Sequence, residues 1–368
     1  MIARIYALIL KEFLALFLDK SSRMAIIVPP IIQLFVFGYA ATFDLNKVRL
    51  AILNEDSGAV SRELISRFQG NPTFDIVAHL QSEHGIAAMI DHEKTLMVLR
   101  IDNACSRQAV RGESCSVQVL IDGRNSNTAM LALNYVRAIV TDFNEELMAR
   151  QNLGLPARLA VRAWFNPNLE SRWFIVPGII ALLGMIVTLV VTALSVARER
   201  EDGTFDQLLV TPMRPWEVMV GKSLPGLLVG LFEVSLIIAL TVYWFKIPLH
   251  GSLLTLYPAL VIYLLSVIGV GLMISSFSTT LQQALLGSIL FIVPAVTLSG
   301  FTTPIANMPL WMQHLTIINP MRYFLIVVRR VFLEGTEIRF LVHEIWPMAV
   351  IAVCTLSLAT WLFRHRLH

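Results

Sequence analysis

Six stretches of the chain, at 24–43, 174–197, 223–245, 253–277, 284–303 and 345–363, run almost without an ionisable side chain. A bilayer core about 30 Å thick takes roughly 20 helical residues to cross. In lipid every backbone polar group must be satisfied within the segment, so continuously apolar runs imply helices. A β-barrel would alternate apolar and polar residues instead. With 56% of its 368 residues hydrophobic and only 15% charged, the chain reads as an α-helical polytopic membrane protein with six transmembrane helices.

Residues 44–172, between the first two runs, have the mixed texture of a soluble α+β domain large enough for its own small core. Strands are predicted at Val48–Leu53, Thr95–Ile101 and Ser116–Ile121, and helices at Ala59–Phe68 and Thr128–Gln151. Cys105 and Cys115 flank the expected hairpin loop between the last two strands; they can bridge in an oxidising compartment and stay reduced in the cytoplasm. Cys354, within the sixth run, reads as a small core residue. His79, His84 and His92 lack metal-site spacing, and no Gly-x-Ser-x-Gly elbow occurs, so neither a metal nor a catalytic site is expected.

Basic residues set the orientation. Arg4, Lys11, Lys20 and Arg23 precede the first run, Arg198, Arg200, Arg214 and Lys222 lie between the second and third, and Arg364 and Arg366 follow the sixth. Six spans put all three groups on one side, taken as cytoplasmic, with both termini there and 44–172 outside. Residues 1–23 read as an amphipathic helix in the cytoplasmic interface, or as an extension of the first span, and not as a cleaved signal peptide. Arg322, Arg329, Arg330 and Arg339 fall on the outer side and argue against this arrangement. Arg322 and the Arg329-Arg330 pair bracket too few apolar residues for a span, so Tyr323–Phe332 is expected to be interfacial or partly re-entrant. The whole segment 304–342 is expected to dip into the outer leaflet, with Trp311 and Tyr323 at headgroup level.

Three polar features interrupt the apolar pattern. Gly221-Lys222-Ser223 resembles the end of a phosphate-binding loop, but position 216 holds Trp216 where a glycine is required and no strand precedes it. Glu233 stands midway along the third run, where a carboxylate is costly unless paired, protonated or facing water. It marks either a substrate pathway, with Gln33 a weaker candidate, or a contact between helices, as do Gln282 and Gln283. The third feature is the connector 198–222, opening on Arg198-Glu199-Arg200-Glu201-Asp202. Gly203 is placed to break the preceding helix, and Thr204 with Gln207 to cap a new one over Phe205–Val210. Such a segment is either a docking face or a plain solvated connector.

The stretch Arg198-Glu-Arg-Glu-Asp-Gly-Thr-Phe-Asp-Gln-Leu-Leu-Val-Thr-Pro212 resembles the cytoplasmic signature of type 2 ATP-binding-cassette (ABC) transporter permeases. Lys11-Glu12 with Asp19, Ile121-Asp-Gly-Arg-Asn-Ser-Asn-Thr-Ala129 and Asn319-Pro-Met-Arg-Tyr-Phe324 extend the resemblance over nearly the whole chain. It implies a half-transporter of the multidrug-efflux kind in a bacterial inner membrane, exporting a hydrophobic or amphipathic substrate. The implied partners are a separate ABC ATPase subunit, which uses ATP and Mg, a second identical or paralogous permease, the lipid bilayer, and a periplasmic adaptor with an outer-membrane channel. No nucleic acid and no cofactor bound by this chain are expected. Glu199, Arg200, Glu201, Gly203, Thr204, Gln207, Leu208, Thr211 and Pro212 become the implied ATPase-coupling surface, with Lys11 and Glu12 as a second contact. An ion-gradient-driven secondary transporter and a membrane-anchored scaffold are the competing classes.

Overall fold

The computed structural model describes residues 2–18, 20–40, 47–113, 115–124, 126–150, 165–166, 170–204 and 214–365. The chain divides into two compact units, Phe43–Arg162 and the combination of Met1–Thr42 with Ala163–His368. In chain order the elements are α1 (Ile2–Leu18), α2 (Lys20–Ala40), β1 (Val48–Asn54), α3 (Ala59–Gln69), β2 (Phe74–Leu80), α4 (His84–Asp91), β3 (Met97–Ile101), α5 (Cys105–Val110), β4 (Val117–Ile121) and α6 (Ser126–Arg150). The second unit continues with α7 (Ser171–Glu201), α8 (Pro215–Tyr243), α9 (Leu253–Phe277), α10 (Leu281–Thr297), α11 (Leu310–Leu315), α12 (Pro320–Arg329) and α13 (Ile338–His365).

The smaller unit is built on a four-stranded sheet of order β2-β1-β3-β4. β1 runs parallel to both of its neighbours, and β3 pairs antiparallel with β4. A strand flanked on both sides by parallel crossovers is covered on both faces, and Leu50, Ala51, Ile52 and Leu53 of β1 are all buried. α3 contributes Leu64 and Phe68 to this core, and α6 contributes Ala132, Val136 and Phe143. β2 and α4 escaped the sequence reading. β2 is an edge strand whose Asp75 and His79 interrupt the apolar pattern, and α4 is only eight residues long. Cys105 and Cys115 form a disulfide with Cα atoms 4.8 Å apart, and the connection they flank contains α5 rather than a bare hairpin loop.

In the larger unit, among the described residues, four helices are long and apolar enough to cross a membrane: Ser171–Glu201, Trp216–Tyr243, Leu253–Phe277 and Ile338–His365. The apolar part of α2 (Val28–Tyr39) and the 17-residue α10 are shorter. The fifth expected span, 284–303, is thus cut back at its end. Leu298 closes α10, and Gly300 turns the chain at φ +85°, a conformation that disfavours any side chain.

α7 is the spine of this unit, buried almost continuously from Ile175 to Ala197. It is approached closely because small residues face it: a Cβ on Gly226 or Gly230 of α8 would sit within 2.4 Å of Thr192 or Thr188. Tyr323 is buried within the protein, donating its hydroxyl to the Ile317 carbonyl at 2.9 Å, because α12 lays its apolar face into the main core. One sequence expectation is corrected by the burial pattern. Cys354 is exposed on α13 and is not a core residue. α12 starts at Asn319, whose side chain accepts the Met321 N–H (3.1 Å) and donates to the Ala295 carbonyl (2.6 Å). Its continuation is a π turn over Arg330–Glu334.

Candidate coupling site

The charged end of α7 closes by a Schellman arrangement, in which a left-handed residue lets two N–H groups reach back to the last carbonyls. Gly203 adopts φ +68°; its N–H reaches the Arg200 carbonyl at 3.3 Å, and the Thr204 N–H reaches the Glu199 carbonyl at 2.9 Å. Gly203 therefore ends the helix as expected. Thr204 takes part in closing α7, its hydroxyl leaning on the Glu199 carbonyl (3.4 Å); the helix expected over Phe205–Val210 lies outside the described residues. Gln207, Leu208, Thr211 and Pro212 lie outside the described residues.

Each of three consecutive side chains upstream grips a different element. Arg200 donates to the carbonyls of Ser276 (2.9 Å) and Ser278 (3.0 Å), placing a cation at the C-terminus of α9. Glu201 accepts the Leu281 N–H at 2.6 Å, placing an anion at the N-terminus of α10. Both signs suit the helix dipoles. Glu199 turns into the protein, only 6% exposed, and there meets two lysines.

That meeting point is the densest charge cluster among the described residues of the larger unit. Lys11 of α1 lies 3.0 Å from Glu199 Oε1, and Lys222 of α8 lies 3.2 Å from the same oxygen. Lys222 Nζ is 2.7 Å from Glu12 Oε1 of α1 and also reaches Ser195 Oγ at 3.3 Å. Ser195 in turn donates to Glu12 Oε2 at 3.1 Å. The Lys222 side chain is fully buried. A charge taken out of water is costly unless its partners are close and hydrogen-bonded, and here two cations meet two carboxylates.

Apolar packing seats α1 around the cluster. Leu8 is buried with Val196, Val218, Met219, Ile268 and Phe363, and a Cβ on Gly221 would lie 2.4 Å from Leu8. The Gly221-Lys222-Ser223 triplet thus has a local purpose: the glycine admits Leu8, the lysine closes the cluster, and Ser223 bonds back to the Met219 carbonyl (2.6 Å). Glu217, also buried, caps α8 by accepting the Arg214 N–H at 2.8 Å.

The expected coupling residues Lys11, Glu12, Glu199, Arg200, Glu201, Gly203 and Thr204 are therefore brought together, with Glu199, Arg200 and Glu201 contacting the protein's own helices. Sequence reasoning took Lys222 for a flanking basic residue and passed over Ser195. The available signal was a lysine at one end of an apolar run, which needs carboxylates at the same depth. Glu233 lies elsewhere on α8, 4% exposed, with neither carboxylate oxygen hydrogen-bonded among the described residues. Thr188 Oγ1, close to Gly230 one helical turn away, is likewise unpartnered. Gln33 is half-buried on α2.

Residues 20–361 match the family described as ABC-2 family transporter protein. The chain is 40% identical over 366 residues, covering all of both proteins, to the probable multidrug ABC transporter permease YbhR of Escherichia coli K12. It is 31% identical to the probable multidrug ABC transporter permease YbhS of the same strain, covering 98% of this chain and 96% of that one. The linearmycin resistance permease protein LnrN of Bacillus subtilis is 20% identical, with 89% and 90% covered.

Proposed function

The chain belongs to the ABC-2 family of transporter permeases, and we propose that it is the membrane subunit of an ATP-driven exporter. Its substrate is a hydrophobic or amphipathic compound, moved outward across a bacterial inner membrane. A separate ATPase subunit docks on the connector 198–222 and supplies the energy. The observation that carries this reading is the cluster of Lys11, Glu12, Glu199 and Lys222, which ties α1, α7 and α8 together at the mouth of the connector. With Arg200 and Glu201 holding α9 and α10, displacement of the connector is transmitted to five helices at once.

In this reading ATP binding closes two ATPase subunits, the connector and α1 follow, and two permease copies rock so that a path between them opens outward. A ligand shifts such an equilibrium only by binding one conformation better; ATP does so through the partner. Six spans, with α2 and α10 completing the four long helices, keep both termini cytoplasmic and put the Phe43–Arg162 unit outside, where an adaptor and an outer-membrane channel would extend the path. Co-expression with the ATPase subunit tests the proposal. The double variant Glu201→Ala/Gly203→Ala should insert normally and lose transport-linked ATPase stimulation; undiminished stimulation would refute the docking reading.

Glu233 favours a second reading, a transporter driven by an ion gradient, because an unpartnered buried carboxylate suits ion exchange. Transport by the isolated chain under a proton gradient, without any ATPase, would establish that alternative.

A further inference from the structure

The smaller unit contains a cavity of about 420 Å³ bounded by α3, α5, β4 and α6. That volume falls within the range of small-molecule sites, which are largely apolar with a few placed polar groups. Leu64, Ala109, Val140 and Phe143 supply apolar walls, and both cysteines of the disulfide line the same space. One charged residue, Glu113, is part of the lining.

Glu113 is distinguished by what it lacks. Glu55 and Glu83 are held by Arg100, Glu63 and Glu146 by Arg67, and Glu93 by Arg124. Among the described residues Glu113 has no such arginine. Its backbone is nevertheless fixed: its N–H bonds to the Gln108 carbonyl at 2.9 Å, Gly112 turns the chain at φ +76°, and the Cys105–Cys115 bridge closes the loop around it. An apolar chamber with a single uncompensated carboxylate, held in place by a covalent frame, matches a ligand with an apolar body and one positive charge.

We infer that this cavity binds a small amphipathic cation, its hydrocarbon body between α3 and α6 and its charge at Glu113. The inference stands apart from the export reading, because the site is complete within the smaller unit and needs no ATPase. The test uses the full chain in phosphatidylcholine nanodiscs, with signal from empty discs subtracted. Displacement of N-phenyl-1-naphthylamine fluorescence is measured for three matched probes: 1-naphthylmethylamine as the cation, 1-naphthalenemethanol as the neutral form and 1-naphthylacetate as the anion.

The cation should bind about tenfold more tightly than the alcohol, the equivalent of one charge-assisted contact, and the anion most weakly. Glu113→Gln should bring cation and alcohol to the same affinity, and Glu113→Arg should reverse the order of cation and anion. Ala109→Phe, which fills the chamber, should weaken all three. Because position 113 is exposed, the charge variants remain informative if Ala109→Phe fails to fold. Equal affinity for cation and anion, an unchanged cation-to-alcohol ratio in Glu113→Gln, or absence of saturable displacement would each overturn the assignment.

Discussion

Replacing Lys222 with methionine removes the central cation of the cluster while keeping the length of the side chain. The carboxylates of Glu12 and Glu199 then remain behind at 12% and 7% exposure, with Lys11 as the nearest cation. Lys11 is 56% exposed and within salt-bridge distance of Glu199, so screening discounts what it contributes. Among the described residues Glu12 then keeps the hydroxyl of Ser195. Breaking a buried pair from one side costs about 3–5 kcal/mol; with Lys11 retained, the lower end, about 3 kcal/mol, is the expected loss. This corresponds to a shift of about 150-fold in the equilibrium between docked and released α1. Hydrogen exchange over residues 2–18, read by mass spectrometry on the full transporter, measures that equilibrium directly. Lys222→Met should accelerate exchange there by about two orders of magnitude if local opening governs it. Adding Glu12→Gln should restore at least half of the protection, because the stranded charge is gone. Exchange within threefold of the parent protein would show that apolar packing alone seats α1, and would remove the cluster from the coupling argument.

Other perturbations probe neighbouring steps. Gly221→Val should drive a side chain into Leu8 and lower ATPase stimulation without loss of insertion, and Leu8→Ala should partly rescue it; failure of rescue in a well-inserted double variant would rule out this close approach as the cause. Burial pushes the Asp56 carboxyl up, but the hydroxyl and N–H of Ser106, together with Ser61 and Gly58, outweigh it and hold the group below the usual carboxylate range. The stability Asp56 contributes is therefore present above about pH 4 and fades as the pH falls through the lower folded value. Asp56→Asn should weaken the smaller unit at pH 7 by about 1–3 kcal/mol and flatten its acid-unfolding limb, both read by circular dichroism; an unaltered limb would exclude Asp56 as the titrating group. Arg329 stacks 3.7 Å over the Phe174 ring with its Nε and Nη2 donors buried and, among the described residues, unpartnered. Arg329→Met should leave the melting temperature unchanged or raised, since relief from unpaired burial offsets a cation–π term of about 2 kcal/mol. A clear drop would mean that the assembled transporter supplies the guanidinium with an anion.

Periodicity and charge revealed the long helices well because their signal is dense: α9 coincides with the uncharged run 253–277. Weaker segments depended on information that a single sequence does not carry locally. The arginines around Tyr323–Phe332 bore on the depth of that segment in a membrane, not on how α12 packs against the other helices of the unit. Its capping by Asn319 and the seat of Tyr323 on Ile317 involve partners that no window around position 323 makes conspicuous. The candidate coupling residues were legible as a charged island, but their direction was not. Glu199, Arg200 and Glu201 are alternately committed to α1 and α8, to α9 and to α10, and each of those partners lies tens of residues or more away. Lys222 was the clearest loss, hidden by its resemblance to a nucleotide loop.

The buried lysine also bears on how the protein is made. Residues leave the ribosome in order, so Glu12 and Glu199 are synthesised before Lys222. When the start of α8 reaches the bilayer, both of its counter-charges already exist in the nascent chain, and its lysine can be neutralised on arrival. Removal of α1 would take Glu12 away and leave Glu199 as the carboxylate partner of that lysine among the described residues. The order of the chain thus supplies both carboxylates, on α1 and α7, before the lysine of α8 has to leave water.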